Sequence, residues 1–458
     1  MNVKGEDKMS NRTRNIVTTI LLTACFIILL NQTSMTTIVP LISKIFGTSL
    51  TLTQWITSGY VLMIGLVAPL SAIIYEKYSS RQAFTGIMVT FIVGTILGLM
   101  ANNFWLLLVA RLIQAIAGGI FTTFVQISLI TINPVEKRGE VMGLMSLVIS
   151  AGPALGPSVS GALVQLASWR IIFGLILPLM VILLVLGIVF LPNYSAATVA
   201  KIDFLSAVTS MVGMGSIMVG LTILSTNLLL ALALMVIGLV VALYFVQRQN
   251  RLAKPLLTVK LMTQRRVLLM TMMIILVFGI LMGTESVMPI YFENVRHAST
   301  MVAGLVLLPG ALANAVLSPF IGRLYDQYGA KYLLLIGGVV LLLSNIPLVM
   351  INSSSSVAIF VIDYLVRMVG VSMLVSTGIT ESLKGLPKEA INHATALNNT
   401  LRQISGSALT TIMIMAMGIP QSLVVGTRVA IWITVLATVL LILINYLYLR
   451  GEQANANR

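Results

Sequence analysis

Charged residues and cysteine are both scarce in this chain. Of its 458 residues only 9% are charged and 58% are hydrophobic, whereas soluble domains are about a quarter charged. The one cysteine, Cys25, lies inside an apolar run, which excludes a disulfide framework and a thiolate metal site. With a mean hydropathy of +1.02, the composition predicts an all-α polytopic membrane protein that holds no metal and no cofactor.

Two further absences narrow the class of protein. The sequence has no Gly-x-x-x-x-Gly-Lys-Ser/Thr loop, so ATP-driven chemistry is not expected and the protein is predicted not to be an enzyme. Its net charge of +15 is spread over short loops, whereas a nucleic-acid surface needs a contiguous basic stripe. No sizeable soluble domain fits between the apolar runs, which argues against a receptor or scaffold.

Apolar runs long enough to cross a membrane fill nearly the whole sequence. About 20 such residues cross a hydrocarbon core of roughly 30 Å. The pattern predicts fourteen transmembrane helices, so both termini would lie on one side of the membrane. The predicted spans are 16–38, 54–74, 83–101, 105–131, 140–165, 170–191, 204–225, 228–246, 267–291, 301–321, 332–351, 356–381, 395–418 and 428–449.

Lysine and arginine residues are concentrated in alternate loops. The loops on one side of the predicted topology hold most of them, and those on the other side hold only Lys44, Arg170, Arg296 and Arg428. Cytoplasmic loops carry the excess of Lys and Arg in membrane proteins. The prediction is therefore a multi-pass protein of the cell membrane with both termini in the cytoplasm.

An internal repeat divides the chain into two halves. The loops "AIIYEKYSSRQAF" (72–84) and "GRLYDQYGAKYLL" (322–334) follow predicted spans two and ten, which are eight spans apart. Repeats of this kind build a central site between two helix bundles in transporters. The predicted domains are an N-terminal six-helix bundle (1–191), two additional central helices (192–246), a basic cytoplasmic linker (247–266), and a C-terminal six-helix bundle with a short tail (267–458). The linker either binds anionic lipid headgroups or only anchors the topology.

The second repeat resembles the loop signature of the major facilitator superfamily, Gly-x-Leu-x-Asp-x-x-Gly-x-Lys, whereas the first keeps only its charge. "SAGPALGPSVSG" (150–161) is similar to the Gly-Pro signature of the antiporter branch, and "LVARLIQAIAGG" (108–119) to the Arg-x-x-Gln signature. "YFENVRHASTMVAGLVLLPG" (291–310) and "NHATALNNTLRQISGS" (392–407) resemble the fourteen-span drug:proton antiporters, in particular the lincomycin-efflux type. The residues with which the resemblance associates conformational change are Glu76, Lys77, Arg81, Gly152, Pro153, Gly156, Pro157, Gly161, Gly322, Asp326, Gly329, Lys331 and Arg402.

The polar stretch "LLNQTSMTTIVP" (29–40) departs from the pattern of that group. The group usually has Asp-x-Thr near the end of span one, and Asn31 stands in the place of the acid. An amide does not exchange a proton near neutral pH, so Asn31 is not the coupling group. Asn31, Gln32, Thr33 and, in span four, Gln126 are candidate substrate-cavity residues; the alternative is that these side chains hydrogen-bond between helices.

The proton-coupling candidates are the ionisable residues inside the spans. Glu285, between Gly283 and Pro289, is the first candidate, because burial favours the neutral form of a carboxyl group; the alternative is a structural carboxylate. Asp363 lies four residues before Arg367, a spacing that also favours a structural ion pair. The resemblance associates Arg111 with proton handling, and a structural arginine bonded to backbone carbonyls is its alternative.

The resemblance implies the major facilitator fold: two six-helix bundles and two additional central helices, fourteen transmembrane helices in all. It also implies proton-coupled efflux of small lipophilic or cationic drugs and antibiotics across the cytoplasmic membrane by alternating access. The expected partners are these substrates, protons and membrane lipids, and the protein is expected to act as a monomer. The alternative function is that of a lipid or cell-envelope precursor translocase.

Overall fold

The computed structural model describes residues 10–456, apart from 68–69, 135–137, 194–202, 225–226, 253–254, 256–257 and 387. The described residues form helices joined by short connections. The helices are α1 (Asn11–Ser34), α2 (Val39–Phe46), α3 (Leu50–Thr53), α4 (Trp55–Val67), α5 (Leu70–Lys77), α6 (Ser80–Leu99), α7 (Phe104–Ile132), α8 (Arg138–Leu166), α9 (Ile171–Phe190), α10 (Phe204–Ile223), α11 (Leu228–Arg251), α12 (Arg265–Asn294), α13 (Thr300–Tyr328), α14 (Ala330–Leu343), α15 (Asn345–Val349), α16 (Val357–Leu383), α17 (Lys388–Met417) and α18 (Leu423–Ala456).

Polar residues fix where several of these helices begin. Ser79 and Gln82 form a capping box at the start of α6, and Asn103 accepts a hydrogen bond from Leu106 N at 2.9 Å at the start of α7. Ser299 caps α13 in the same way. Such side chains bond N–H groups that have no partner inside the helix. The helix starts therefore follow from short polar segments between apolar runs.

Twelve helical stretches in the described part of the chain are long and apolar enough to cross a membrane. Predicted span seven falls on α10, whose apolar stretch, Val208–Ile223, is shorter. Predicted span thirteen falls on α17, which is not among the twelve because it carries many polar residues. Several of these are buried: Asn398, Thr400, Gln403, Ser407, Thr410 and Thr411. The chain is thus a multi-pass helical membrane protein, and the count of fourteen spans stays a prediction.

The two halves of the chain have separate hydrophobic cores. In the first, the rings of Phe84 and Phe121 lie 6.0 Å apart within a cluster drawn from α1 to α9, which we call the N-terminal half. In the second, Phe292 and Phe360 lie 4.9 Å apart within a cluster drawn from α12 to α18, the C-terminal half. The bounds of the four predicted domains stay a prediction.

Helices α1 and α8 are joined through the Gly-Pro segment of α8. Pro157 has no N–H group, so the carbonyl oxygen of Pro153, four residues earlier, lacks its usual partner in the helix. Thr33 Oγ1 donates a hydrogen bond to this oxygen at 2.7 Å. A methyl group on Gly156 would overlap Thr33 Oγ1 and lie 2.5 Å from Leu30 O. Proline and glycine therefore let the two helices approach closely.

The hairpin of α10 and α11 lies beside both halves. Helix α10 contacts α4 of the N-terminal half and α17 of the C-terminal half. Trp55 Nε1 donates to Thr222 Oγ1 at 2.7 Å, and Met218 is buried against α4 residues such as Leu62. The ion pair of Arg248 with Asp203, at 2.9 Å, joins the two helices of the hairpin. The first of the additional central helices thus covers the line where α4 meets α17.

We predict that Gly156→Ala lowers the free energy of unfolding by about 1–3 kcal/mol, because the added methyl group forces α1 and α8 apart. Thermal unfolding of the detergent-solubilised protein measures this. The matched control is Gly86→Ala in α6, where an added Cβ meets nothing within 4 Å and stability should stay within about 1 kcal/mol of the wild type. Equal melting of the two variants would contradict the prediction.

Candidate functional site

A small polar cavity lies between the two halves. It has a volume of about 20 Å³, room for about one water molecule. Its wall comes from α1, α4, α12, α17 and the 3₁₀ segment Thr36–Ile38. The described residues that line it are Gln32, Thr33, Thr36, Gln54, Thr57, Ser58, Val61, Met282, Glu285, Ser286, Gly406, Ser407 and Thr410. Most of them carry a hydroxyl or amide group, so the cavity offers hydrogen bonds on every side.

Glu285 is the only charged residue among those that line this cavity in the described part of the chain. Its side chain is 9% exposed, and Oε1 accepts a hydrogen bond from Tyr364 Oη at 2.6 Å. Gly283 allows α17 to approach, because a methyl group there would overlap Met413. Pro289 lacks the N–H group that would bond the carbonyl of Glu285, so this carbonyl loses its usual partner in α12.

The polar cluster at the end of α1 is divided between two roles. Gln32 and Thr33 line the cavity, whereas Asn31 is not among its described lining residues: Asn31 Nδ2 donates to Gln114 Oε1 at 3.1 Å inside the N-terminal half. Gln126 lies in the last third of α7, partly exposed, and is not among the described residues that line the cavity. Asn31 and Gln126 thus lie outside the lining of this cavity, and their contact with substrate stays a prediction.

Arg111 holds the N-terminal half together. Its guanidinium group is fully buried, and no carboxylate in the described residues pairs with it. Nε donates to Ile56 O at 3.1 Å, one Nη to Asn31 O at 3.1 Å, and the other to Gln32 O at 3.2 Å. The group also lies 4.0 Å from the centre of the Tyr60 ring. These contacts fit the alternative stated for Arg111, a structural arginine, and its role in proton handling stays a prediction.

Asp363 and Arg367 form a corresponding arrangement in the C-terminal half. Arg367 Nε lies 3.9 Å from Asp363 Oδ2, and both side chains are buried. The two Nη atoms of Arg367 donate to Thr284 Oγ1 at 3.2 Å and to Asn345 Oδ1 at 3.0 Å. Asp363 is not among the described residues that line the cavity. The structure thus contains the predicted ion pair. Arg367 also contacts Thr284, the residue directly before Glu285 in α12.

None of the described residues of the two loop signatures is among those that line the cavity. The side chains of Glu76 and Asp326 are outside the part of the chain that the structure describes. Arg81 Nε donates to Leu191 O at 2.9 Å, and Lys77 and Lys331 are exposed. Gly329 has φ +71, a conformation that favours glycine, where α13 ends.

Arg402, Gly152 and Gly161 lie between helices. The guanidinium group of Arg402 lies 4.9 Å from the centre of the Phe278 ring, so it joins α17 to α12. A methyl group on Gly152 would come 2.8 Å from Leu29 Cβ, and one on Gly161 would come 2.5 Å from Thr300 O. Gly161 therefore permits contact between the two halves, whereas Gly322 has open space around it.

Sequence reasoning did not identify several residues of the site. Tyr364 binds Glu285, and the signal for it was a tyrosine inside a span, whose hydroxyl group needs a buried partner. Gln54 Nε2 donates to Ser286 Oγ at 3.1 Å across the cavity. Glu293 lies just beyond the predicted span 267–291, but it belongs to α12 and is 9% exposed.

Two helical halves around one acidic polar cavity define the general class: a helical membrane transporter. The chain belongs to the major facilitator superfamily, because the family described as Major Facilitator Superfamily matches residues 20–411. This confirms the resemblance inferred from the motifs, and the protein is a transporter and not an enzyme.

Relatives of the same family match nearly the whole chain. The Uncharacterized MFS-type transporter YcnB of Bacillus subtilis is 37% identical over 423 residues, which cover 91% of this chain and 89% of the relative. Lincomycin resistance protein LmrB of Listeria innocua is 31% identical over 403 residues, 87% of this chain and 86% of its own. Lincomycin resistance protein LmrB of Bacillus subtilis is 30% identical over 409 residues, which cover 88% of this chain and 85% of the relative.

We predict that Asp363→Asn lowers the free energy of unfolding by about 3 kcal/mol, since it leaves the buried charge of Arg367 without its carboxylate. Thermal unfolding in detergent measures the loss. Glu285→Gln is the matched control: the same chemical change in the same half, outside the ion pair, should leave the melting temperature nearly unchanged. A variant Asp363→Asn that melts like the wild type but transports poorly would place Asp363 in the coupling machinery instead.

Proposed function

We propose that this protein exports small cationic or lipophilic drugs, antibiotics among them, from the cytoplasm in exchange for protons. The observation that carries the proposal is the single carboxyl group, Glu285, among the described residues that line the cavity between the two halves. The motif resemblance to drug:proton antiporters and the names of the lincomycin resistance relatives support it. Asn31 carries an amide where that group usually has its acid, so the proton site moves to the C-terminal half.

Competition for one carboxyl group gives the exchange. Ionised Glu285 attracts a cationic amine, whereas the protonated form is neutral and releases it. Substrate and proton therefore compete for Glu285 and do not both bind strongly at the same time. Each favours the conformation to which it binds more tightly. The hydroxyl groups of Ser286, Ser407 and Thr410 provide hydrogen bonds for polar parts of the substrate. A cavity of about 20 Å³ is too small for a drug, so the halves must separate to admit one.

The contacts between the halves support an approach of substrate from the cytoplasm. Ser158 Oγ donates to Gly304 O at 2.9 Å, and Gln54 bonds Ser286, both toward one end of the bundle. With fourteen spans and both termini in the cytoplasm, this is the outer end. The conformation is then closed to the outside, and transport breaks these contacts and forms others at the cytoplasmic end.

A lipid or cell-envelope precursor translocase is the weaker alternative. Its substrate would carry an anionic headgroup, which a cation should bind. Arg111 and Arg367 are both bonded to other protein groups, and neither is among the described residues that line the cavity. Glu285 would repel such a headgroup. The cavity therefore suits a cationic substrate better.

We propose that the exporter acts in the cell membrane as a monomer surrounded by lipid.

The test is uptake into inverted membrane vesicles with an imposed proton gradient, using lincomycin and a cationic dye. We expect gradient-driven uptake by the wild type, its loss with a protonophore, and its loss in Glu285→Gln, which cannot ionise. The matched control is Glu452→Gln, the same change in an ion pair with Arg266 far along the chain, which should transport normally.

Two outcomes would contradict the proposal. Uptake by Glu285→Gln at the wild-type rate would remove Glu285 from the mechanism. Movement of a fluorescent phospholipid between leaflets, with no uptake of either drug, would favour the translocase.

A further inference from the structure

Helix α12 carries a second buried carboxyl group that the exchange at Glu285 does not use. Glu293 is 9% exposed, and its Oε1 is buried without a hydrogen-bond partner in the described part of the chain. Burial of an ionised carboxylate with an unpaired oxygen is far more costly than burial of the protonated group. The closed conformation therefore favours the neutral form of Glu293.

The position of Glu293 places it at the contact that closes the outer end. It follows Ser286 by seven residues, about two helical turns, so both lie on nearly the same face of α12. Ser286 on this face bonds Gln54 of the N-terminal half. Helix α12 also contacts α2 and the segment Thr36–Ile38, which belong to that half as well. Separation of the halves here would admit water to Glu293.

The charged groups around Glu293 are few and mostly engaged elsewhere. Lys44 on α2 is the cation that interacts with its carboxyl group across the contact. Arg296, just after α12, donates to Ser353 O at 2.6 Å, and Arg428 on α18 donates to Ile351 O at 2.7 Å. His297 lies in the same connection with φ +51. On α16 the nearest acid, Asp363, pairs with Arg367, and the near ends of α13 and α17 carry no charged residue among those described.

We propose that Glu293 is a second proton-binding site, and that proton uptake there accompanies closure of the outer end. The inference rests on the proposed exchange of protons for substrate. After substrate leaves on the outside, Glu293 is hydrated and ionised; a proton from the outside neutralises it, and the halves can then close over it. External acid thus favours the closed outer end and external base favours the open one. This is the direction that is needed if protons enter the cell as substrate leaves.

The experiment measures outer opening directly. In a Cys25→Ala background, Ser158→Cys places a thiol in the contact between the halves. Intact cells are treated with a membrane-impermeant maleimide over a range of external pH. Labelling is divided by that of Ser354→Cys, an exposed position, which corrects for the reactivity of the thiol. We expect the ratio to rise with pH, by up to about tenfold per unit, the limit for coupling to one proton.

Three variants connect this pH dependence to Glu293. Glu293→Gln mimics the protonated group, so the ratio should stay low and lose the part of its pH dependence that Glu293 contributes. Glu293→Asp keeps an ionisable group and should keep the pH dependence. Lys44→Gln removes the cation that favours the ionised form, so the midpoint should move to higher pH. Glu452→Gln is the control and should resemble the wild type.

Retention of the full pH dependence in Glu293→Gln would overturn the inference. If that variant does not reach the membrane, the other two decide: an unmoved midpoint in Lys44→Gln, or loss of pH dependence in Glu293→Asp, would overturn it as well. Labelling requires no substrate, so the failure of this inference differs from the failure of the proposed function, which appears as absent drug uptake in vesicles.

Discussion

Each half of this protein depends on an arginine side chain that is buried away from water. A guanidinium group has five N–H donors and always carries its charge, and the bilayer supplies no partner for it. Arg111 is therefore bonded to the carbonyl oxygens of Ile56, Asn31 and Gln32. These bonds fix α7 against α1 and α4, and they determine which side chains of α1 remain free to line the cavity.

The C-terminal half meets the same requirement with different groups. Arg367 uses the side chains of Thr284, Asn345 and Asp363 where Arg111 uses mainly backbone. Eight spans separate α7 from α16, and the same offset relates α1 to α12 in the predicted topology. Residues at or directly after the arginine contacts then line the cavity in both halves: Gln32 and Thr33 in one, Glu285 and Ser286 in the other. The halves share an architecture, but only the second places an acid in the cavity.

Contact between the halves depends on backbone atoms and small side chains. A Cβ on Gly304 would come 2.6 Å from Pro157 O, and one on Gly65 would come 2.8 Å from Gln403 Cβ. Small residues let helix backbones approach closely without a hydrophobic driving force in lipid. Few strong side-chain bonds then have to break when the halves move, since Gln54 with Ser286 and Ser158 with Gly304 are single hydrogen bonds. Such an interface suits two conformations of similar free energy.

The sequence by itself determined the class, the family and the helical runs, because these depend on local patterns: apolar length, spacing of Gly and Pro, and the signature loops. It also identified Glu285 as a carboxyl group inside a predicted span, since an isolated acid in an apolar run is visible without a structure. The tertiary structure decided the rest. It directed Asn31 into the N-terminal half, gave Glu285 its partner Tyr364, and buried Glu293. Consecutive residues of a helix point about 100° apart, so the neighbour that each polar side chain meets depends on how the helices pack together.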